Sequence, residues 1–585
     1  MRKKIKGIIG AVILLTLSGY AQVNKPSIAP LNPEFVRYIE NLKAGQVKLQ
    51  TTEGKGLGYI PEPVDFSHLK GESIIPETQF PKLSYPYFYD LRALNRLTPV
   101  KDQDGYGTCW AFATYGSLES WLKTDEGTEY DFSENNLVNL HGFDLGFDDG
   151  GTYLMSTAYL ARWSGPVNEA DDPYPNPGGS TGNEPVQKHV QEVLILPPRS
   201  GPTDNDNIKY AVMTYGAVGT VMCWDGGSYN STTNAYYYNG SASANHAVAI
   251  VGWDDNYPAS NFNTAPPGNG AFIVRNSWGT GWGDGGYFYV SYYDTKFGYY
   301  NFMFNNGEST TNYSVIYQYD PLGLVGSVGY DSETGWFSNI FTASSSGNKI
   351  EAVAFYSLVV NSTYEVYVYR NVSLNLPRSG TLASTKTGTI STPGYHTIVL
   401  DTPVTLSSGE RFSVVVKLTT PGYNYPIPIE YPEDGYSSSA TANPGESFVS
   451  SDGTNWKDIT GDYPNTNVCL KVFGTPSPVL NVDPTSLDFG REEEAETFNI
   501  RNTGGGALHW NIGDVVYNGS SGWITSISPL SGTTTTETDV VTVNVSRTGL
   551  SGGTYTATIP VTSDGGNQDV TVSIRVNSPP LKPTN

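Results

Sequence analysis

Residues 103–116 read QDGYGTCWAFATYG, and Cys109 within this stretch is one of three cysteines in a chain of 585 residues. The residues after it are apolar at helical spacing, namely Ala111, Tyr115, Leu118 and Leu122. This pattern predicts an amphipathic helix that begins at Cys109, directly after a Gly-Tyr-Gly turn. A helix N-terminus lowers the pKa of a thiol, because its unsatisfied backbone N–H groups stabilise the thiolate. Cys109 is therefore a candidate nucleophile, with a buried structural thiol as the alternative.

The composition indicates a modular, strand-rich protein. A chain of this length suggests three or four domains, and the 64 glycines, 38 prolines and 41 tyrosines are typical of turn-dense extracellular β-proteins. The net charge of -23, without a basic stripe, disfavours nucleic acid or an anionic membrane as partner. The cysteines at 109, 223 and 469 allow one bridge at most, so a disulfide scaffold is excluded.

The N-terminus, MRKKIKGIIGAVILLTLSGYAQ, places four cations before an apolar run of 11 residues from Gly7 to Leu17. This predicts a secretory signal peptide over residues 1–21, with cleavage after Ala21. The run is shorter than the roughly 20 residues that span a bilayer, and no later segment has the length and apolarity of a span. We therefore expect a secreted or cell-surface protein without a membrane span, and a monomer.

The rest of the chain divides by composition. Residues 22–85 form a proline-punctuated leader with a helical candidate at 33–44, and residues 86–305 mix helical and strand patterns. Residues 310–474 contain only strand and turn patterns. After a TPSP linker, the closing strands of residues 478–578 alternate strictly between apolar and other residues, beginning with Val541, Val543 and Val545. The predicted fold is multidomain, with an α+β domain at 86–305 followed by two all-β sandwiches.

Three further residues complete a candidate catalytic set with Cys109. His246 opens the buried-strand pattern HAVAIVGW, and Asn276 lies thirty residues later, where it could orient the imidazole. The amide of Gln103 and the backbone N–H of Cys109 could together hold an oxyanion. Taken alone, a histidine at the start of a strand is more often structural than catalytic.

Six motifs in order strengthen the catalytic interpretation: VKDQ at 100–103, GTCWAF at 107–112, SENNLV at 133–138, DDGG at 148–151, NHAVAIVGW at 245–253 and NSWGTGWGDGGY at 276–287. With them the chain resembles the papain-like cysteine peptidases. The resemblance implies a helical subdomain and a barrel-like β-subdomain. It also implies that Gln103 is the oxyanion donor, Cys109 the nucleophile, His246 the general base and acid, and Asn276 the residue that orients the imidazole.

The same resemblance implies a set of substrate-binding residues: Gly150, Gly151, Val221, Ala244, Asn245 and Trp278. The two glycines would let an extended substrate approach the backbone closely. Val221 and Ala244 would line an apolar pocket for the second residue before the cut. Asn245 would alter the pH profile, and Trp278 would shield the bond between imidazole and amide from water.

This chain departs from the family at its disulfides. Tyr106, Leu140 and Asp148 stand where the family usually has cysteines. We therefore expect packing alone to hold the domain, and Cys223 to be a buried strand thiol. No metal-binding or nucleotide-binding motif is present, so no metal and no cofactor are expected.

The leader resembles a propeptide, residues 310–474 resemble the lectin-like sandwich of some prokaryotic papain-like peptidases, and residues 478–578 resemble BACON-type domains. Trp336, Trp456 and Trp523, if exposed, could stack on sugars, which would add carbohydrate to protein or peptide substrates as partners; an aromatic residue in a sandwich is more often part of the core. The predicted function is a secreted cysteine endopeptidase made as a zymogen. The alternative is an inactive peptidase homologue that acts as a glycan- or protein-binding surface adhesin.

Overall fold

The computed structural model describes residues 25–76, 84–344 and 347–578. The predicted signal peptide at 1–21 lies outside these residues. None of the helices within the described ranges combines the length and the apolar character needed to cross a membrane.

The leader is described from Lys25 to Pro76 and contains β1 (Ser27–Ile28), α1 (Pro33–Lys43) and a 3₁₀ turn at Ser67–Leu69. Helix α1 matches the helix predicted over 33–44. Asn32 caps it, because the Asn32 side chain accepts the backbone N–H of Glu34 and a proline occupies the first helical position. The apolar face of α1 is buried through Phe35 and Ile39, so the leader is packed rather than free.

The next region contains the remaining α-helices of the described residues: α2 (Cys109–Asp125), α3 (Glu134–Leu140), α4 (Tyr153–Ala161) and α5 (Asp206–Thr214). Its strands are β2 (Phe88–Asp90), β3 (His189–Leu196), β4 (Val218–Met222), β5 (Tyr229–Asn230), β6 (Ala235–Tyr236), β7 (His246–Asp254), β8 (Ala271–Arg275), β9 (Tyr287–Ser291) and β10 (Asn301–Glu308). Helices α2 to α4 and the antiparallel strands β4, β7, β8 and β9 form two subdomains, as expected from the sequence.

Helix α2 begins at Cys109 as predicted, but the prediction that it is amphipathic is wrong. Thirteen of its residues are buried, including Glu119 and Ser120 on the face predicted to be polar. The helix lies between α3 and α4 on one side and strands β7 and β10 on the other, so no side of it faces water along most of its length.

Residues 315–476 form the second region, with strands β11 (Val315–Tyr317), β12 (Gly326–Gly329), β13 (Thr334–Thr342), β14 (Asn348–Ser357), β15 (Ser362–Arg370), β16 (Thr381–Ile390), β17 (Gly394–Leu406), β18 (Arg411–Thr419), β19 (Ile427–Glu430), β20 (Ser447–Ser450), β21 (Lys457–Asp458), β22 (Asn467–Val468) and β23 (Leu470–Pro476). The outer sheet has the order β16-β15-β18-β13-β20-β21. A smaller sheet has the order β1-β12-β19-β22, so the leader supplies its edge strand.

One sheet crosses the boundary between these two regions. Strand β17 pairs with β3, in the register Gly394↔Leu194 to His396↔Glu192, and this joins β11, β23, β14 and β17 to the strands of the first region. The sequence predicted separate domains here and gave no sign of a shared sheet.

The last region is a sandwich of strands β24 (Leu480–Asp483), β25 (Ser486–Asp488), β26 (Ala495–Asn502), β27 (Leu508–Ile512), β28 (Val516–Asn518), β29 (Ile524–Ser528), β30 (Ser531–Thr534), β31 (Thr538–Val545), β32 (Gly553–Ser563) and β33 (Gly566–Val576). The predicted alternation is confirmed, because Val541, Val543 and Val545 all point into one core. Trp523 is 2% exposed within that core, so the suggestion that it could stack on a sugar is wrong.

Candidate active site

Cys109 is the first residue of α2 and is completely buried. Its Sγ accepts a hydrogen bond of 3.3 Å from the backbone N–H of Ala247. Because Ala247 directly follows His246, this contact brings the start of β7 against the start of α2. The loop before the helix is fixed by Tyr174, whose hydroxyl lies 2.8 Å from the Thr108 hydroxyl and donates to the carbonyl of Gln103.

His246 is the first residue of β7 and is also completely buried. Its Nε2 lies 2.8 Å from Oδ1 of Asn276, and its ring stacks on Trp278 with centroids 4.7 Å apart. The Asn276 Oδ1 also accepts the backbone N–H of Ser277, which fixes this oxygen as an acceptor and Nε2 as the donor. Within the described residues Nδ1 of His246 has no hydrogen-bond partner, so it is the nitrogen left to exchange a proton.

Gln103 is also buried in this site, and hydrogen bonds fix both its side-chain amide and its backbone N–H. Its Oε1 accepts a 2.6 Å bond from the Ser277 hydroxyl, and its backbone N–H donates to the Ser277 carbonyl at 2.8 Å. The amide Nε2 donates to the carbonyl of Tyr106 at 2.8 Å and retains a second N–H. The sequence missed Ser277 as a positioning residue, although it stands next to Asn276 in the NSWGTGWGDGGY motif.

The leader backbone occupies the surfaces predicted to bind substrate. Ile60 donates its N–H to the Gly151 carbonyl at 2.9 Å, and Gly151 donates to the Gly58 carbonyl at 2.9 Å. The carbonyl of Asn245 accepts the N–H groups of both Gly58 and Tyr59. Tyr59 therefore lies beside Gly151 in a parallel bridge, directly in front of the strand that carries His246.

The two glycines are required for different reasons. A Cβ on Gly150 would lie 2.6 Å from the Gly58 carbonyl oxygen, so this glycine admits the close approach of an extended chain, as predicted. A Cβ on Gly151 would instead lie 2.4 Å from the Trp110 ring, so packing inside the domain demands that glycine. The Asn245 side chain points to Trp224, whose N–H it accepts at 2.6 Å, and only the Asn245 carbonyl faces the leader.

The side chain of Tyr59 is buried, and Val221 and Ala244, which were predicted to line the pocket, belong to the same apolar cluster. Its ring lies 6.2 Å from that of Tyr153 and 6.4 Å from that of Tyr300. A cavity of about 320 Å³ continues beside it, lined by Val221, Ala244, Lys296, Tyr299 and Tyr300 and by leader residues.

The leader also covers the oxyanion side of the site. The Gly56 carbonyl accepts the Trp278 Nε1–H at 3.0 Å, and a Cβ on Gly56 would lie 2.8 Å from Nε2 of Gln103. A Cβ on Gly58 would lie 2.2 Å from the carbonyl oxygen of Gly107. Two leader glycines thus let the main chain pass within contact distance of the site.

Burial favours the neutral forms of the two central groups, Cys109 and His246. It raises the pKa of the Cys109 thiol to about 12, although the N–H groups of Ala247 and of the α2 N-terminus act in the opposite direction. Burial likewise lowers the pKa of His246 to about 4. Both groups are therefore neutral at pH 7 in the leader-covered protein, and the thiolate expected from the helix N-terminus is suppressed.

At positions where the family usually has disulfides, this chain has non-covalent contacts. Cys109, Cys223 and Cys469 are all free and buried. The Asp148 side chain accepts the Gly107 N–H at 2.5 Å, and the Tyr106 ring packs edge-on against Phe147 at 5.3 Å. Within the described residues, no cluster of three or more His, Cys, Asp or Glu side chains is arranged to hold a metal ion.

Comparison with known proteins agrees with this geometry. Residues 85–303 match the model of the papain family of cysteine proteases. The chain contains a papain-family cysteine protease domain. Beyond the protease domain, residues 316–474 match a lectin-like domain and residues 479–577 match a viral BACON domain.

The protease domain carries the similarity to curated relatives. It is 30% identical to a viral cathepsin of Heliothis zea nuclear polyhedrosis virus over 221 residues, which covers 36% of this chain and 53% of that protein. A cysteine protease of Blomia tropicalis is 29% identical over 230 residues, with 38% and 65% covered. The chain thus spans between half and two thirds of the length of these relatives.

Two solved structures extend the similarity beyond the protease domain. The cysteine protease and lectin-like domains of Cwp84, a surface layer associated protein of Clostridium difficile, match with 26% identity and a TM-score of 0.65, covering 77% of this chain and 98% of that one. Cwp84 after propeptide cleavage matches with 29% identity and a TM-score of 0.60, covering 66% and 98%. The arrangement of a protease domain followed by a lectin-like domain is therefore shared.

We expect the Cys109 thiol of the intact protein to react with iodoacetamide about 100-fold more slowly at pH 7 than that of a leader-free form, because only the thiolate is nucleophilic. Since its pKa lies near 12, the rate in the intact protein should still rise at pH 10, whereas the uncovered thiol should reach a plateau earlier. Mass spectrometry of the alkylated peptide measures both rates, with Cys109→Ala as background. Equal rates in the two forms would contradict suppression by the leader.

Proposed function

We propose that this protein is an exported cysteine endopeptidase, latent while the leader lies in its cleft and active once the leader leaves. The observation that carries the proposal is the meeting of Cys109 and the His246–Asn276 pair beneath a leader main chain that is bound by Gly151 and Asn245. A cleft that binds one extended chain through backbone groups can bind another, because such contacts do not depend on side chains.

In the proposed reaction, the proton of the Cys109 thiol passes to Nδ1 of His246, and the thiolate attacks the carbonyl carbon of a peptide bond. The oxyanion receives hydrogen bonds from the backbone N–H of Cys109 and the second N–H of the Gln103 amide. The imidazolium then gives its proton to the leaving amine, and a thioester remains on Cys109. Water, deprotonated by His246, cleaves the thioester and restores the thiol.

Each supporting residue has a defined part in this scheme. Asn276 holds Nε2 of His246, so that Nδ1 is presented as the base, and Trp278 covers that bond from water. Ser277 anchors Oε1 of Gln103 and thereby fixes the direction of the amide N–H groups. None of these steps requires a metal or a cofactor.

We expect Cys109→Ala and His246→Ala to abolish cleavage of a protein substrate by the leader-free enzyme. Ser277→Ala should lower kcat about tenfold with little change in KM, because the oxyanion donor loses its anchor and the substrate-binding surfaces stay in place. Ser309→Ala, an exposed position far from the site, is the matched control. A folded, leader-free wild type that neither cleaves substrate nor reacts with an epoxysuccinyl thiol probe would instead favour the adhesin alternative.

The position of Tyr59 predicts the substrate preference. The Tyr59 ring is buried in the same apolar cluster as Val221 and Ala244, and burial of an aromatic side chain in such surroundings is favourable. We expect the enzyme to prefer tyrosine, phenylalanine or another apolar residue at the second position before the cut. A peptide library read by mass spectrometry measures this preference, and selection of aspartate or lysine would refute it.

Carbohydrate binding is a second candidate function, in the lectin-like domain. A surface cavity of about 400 Å³ is lined by Tyr369, Leu376, Arg378 and Trp456, among others. The Arg378 guanidinium donates to the Tyr369 hydroxyl at 3.0 Å and to the Gly453 carbonyl at 2.8 Å, and it lies 5.8 Å from the centroid of the Tyr369 ring. Trp336 is less suited, because Gly453 already covers its ring.

The cavity suits a saccharide with a carboxylate group. The apolar face of a sugar ring could stack on Trp456, and the guanidinium could donate to the carboxylate. We expect Trp456→Ala to weaken retention on immobilised pectin or alginate about tenfold, which corresponds to one lost stacking contact. Leu382→Ala, an exposed apolar residue of β16, is the control. Equal retention of wild type and Trp456→Ala, or no retention of the wild type on these polysaccharides, would exclude this site.

A further inference from the structure

The leader is bound by two domains rather than by the protease domain alone. Its middle, residues 56–62, lies in the protease cleft, and the segments before and after that middle contact the lectin-like domain. We propose that the lectin-like domain forms half of the binding surface for the leader, so that a leader severed from the protease domain stays bound and keeps the site closed. This inference rests on the proposed function.

The first contact is a strand. Ser27 and Ile28 of β1 pair with Gly329 and Val328 of β12, and the N–H of Ala29 donates to the Ser327 carbonyl at 2.8 Å. Backbone pairing of this kind attaches an extended segment to the open edge of a sheet. The side chain of Ile28 also packs against the apolar core of the lectin-like domain.

Side chains also hold the N-terminal arm of the leader, residues 25–29, against the lectin-like domain. The Tyr463 hydroxyl donates to the Pro26 carbonyl at 2.6 Å. Lys25 donates to the Asp462 carbonyl at 3.0 Å, and its ammonium lies 4.1 Å from the centroid of the Tyr463 ring. The arm at residues 25–29 thus has contacts with the lectin-like domain through both its main chain and its side chains.

Helix α1 lies where the two domains meet. Phe35 packs edge-on against Tyr436 of the lectin-like domain at 5.1 Å, and the Tyr436 hydroxyl lies 3.1 Å from the Thr152 hydroxyl of the protease domain. Lys43 and Asp434 form an ion pair at 2.6 Å, but both are exposed and contribute little. The buried aromatic contact is therefore the stronger link between α1 and the lectin-like domain.

Beyond the cleft the leader again reaches both domains. The Glu62 carboxylate accepts the N–H groups of Tyr153 and Leu154 at the start of α4. Six residues later, Nε2 of His68 lies 2.8 Å from the Leu358 carbonyl, and the His68 ring stacks on Tyr423 at 4.3 Å. The leader is consequently anchored to the lectin-like domain on either side of the segment that covers Cys109.

Several anchors on one chain bind more tightly together than each would alone, because binding at one place holds the next segment near its own site. Cutting the link between leader and protease domain removes none of these anchors. The lectin-like domain therefore delays activation, and the protein after cleavage is a complex of leader and enzyme.

The test uses the full chain with a specific protease site placed within residues 77–83, cut after purification. We expect the cut wild type to elute as one complex and to gain activity only on dilution. Ile28→Asp and Tyr463→Phe each weaken the arm without touching the cleft. In these variants the protein concentration at half-maximal activity should be at least tenfold higher than in the wild type. Val36→Asp, at an exposed position of α1, is the matched control and should behave like the wild type.

Correct folding of each variant is checked before the cut, when the covalently attached leader should still suppress the Cys109 reaction with iodoacetamide. Release at the same concentration in wild type, Ile28→Asp and Tyr463→Phe would overturn the inference, as would full activity of the cut wild type without dilution. Failure of the proposed function looks different, because the fully leader-free protein would then have no Cys109-dependent activity at any concentration.

Discussion

The hydrogen bond from the Ala247 N–H to Sγ of Cys109 marks the constraint on which the active site depends. The proposed nucleophile, Cys109, belongs to α2 in the helical subdomain, and the proposed base, His246, belongs to β7 in the β-subdomain, so neither subdomain contains a complete site. Their alignment relies on buried contacts across the interface, among them the bond between Ser277 and Gln103. With all three cysteines free, packing and hydrogen bonds must maintain this alignment to a fraction of an ångström.

In the proposed latent form, the leader uses the same constraint to keep the protein inactive. It lies where a substrate is proposed to bind, and burial in this leader-covered form stabilises the neutral forms of Cys109 and His246. Desolvation outweighs the helix N-terminus here because burial is complete, whereas the effect of the helix dipole is limited to a few N–H groups. The proposed latency thus combines steric exclusion of substrate with a change in protonation.

The sequence alone predicted the start of α2 at Cys109, the strand that begins at His246 and the approach of Asn276 to the imidazole. These features follow from local patterns and from motifs that are contiguous in the chain. Predictions from the sequence were wrong where the burial of a residue depends on segments that are distant in the chain. The polar face assigned to α2 is covered by other elements, and Trp523 lies inside a core. Ser277 contacts Gln103, which lies 174 positions away in the chain, and Tyr59 contacts Gly151, which lies 92 positions away. No local sequence pattern encodes contacts over such distances.

The shared sheet has a mechanical consequence. Strand β17 continues the sheet of β3, and the Glu192–His396 and Gln191–Thr397 side-chain contacts reinforce the junction. A hydrogen-bonded sheet resists bending far more than a peptide linker does, so the lectin-like domain cannot swing freely about the cleft. Any support that holds the lectin-like domain would also fix the direction in which the cleft opens. The geometry of that attachment, as well as the sequence of the substrate, would then decide which peptide bonds can reach the cleft.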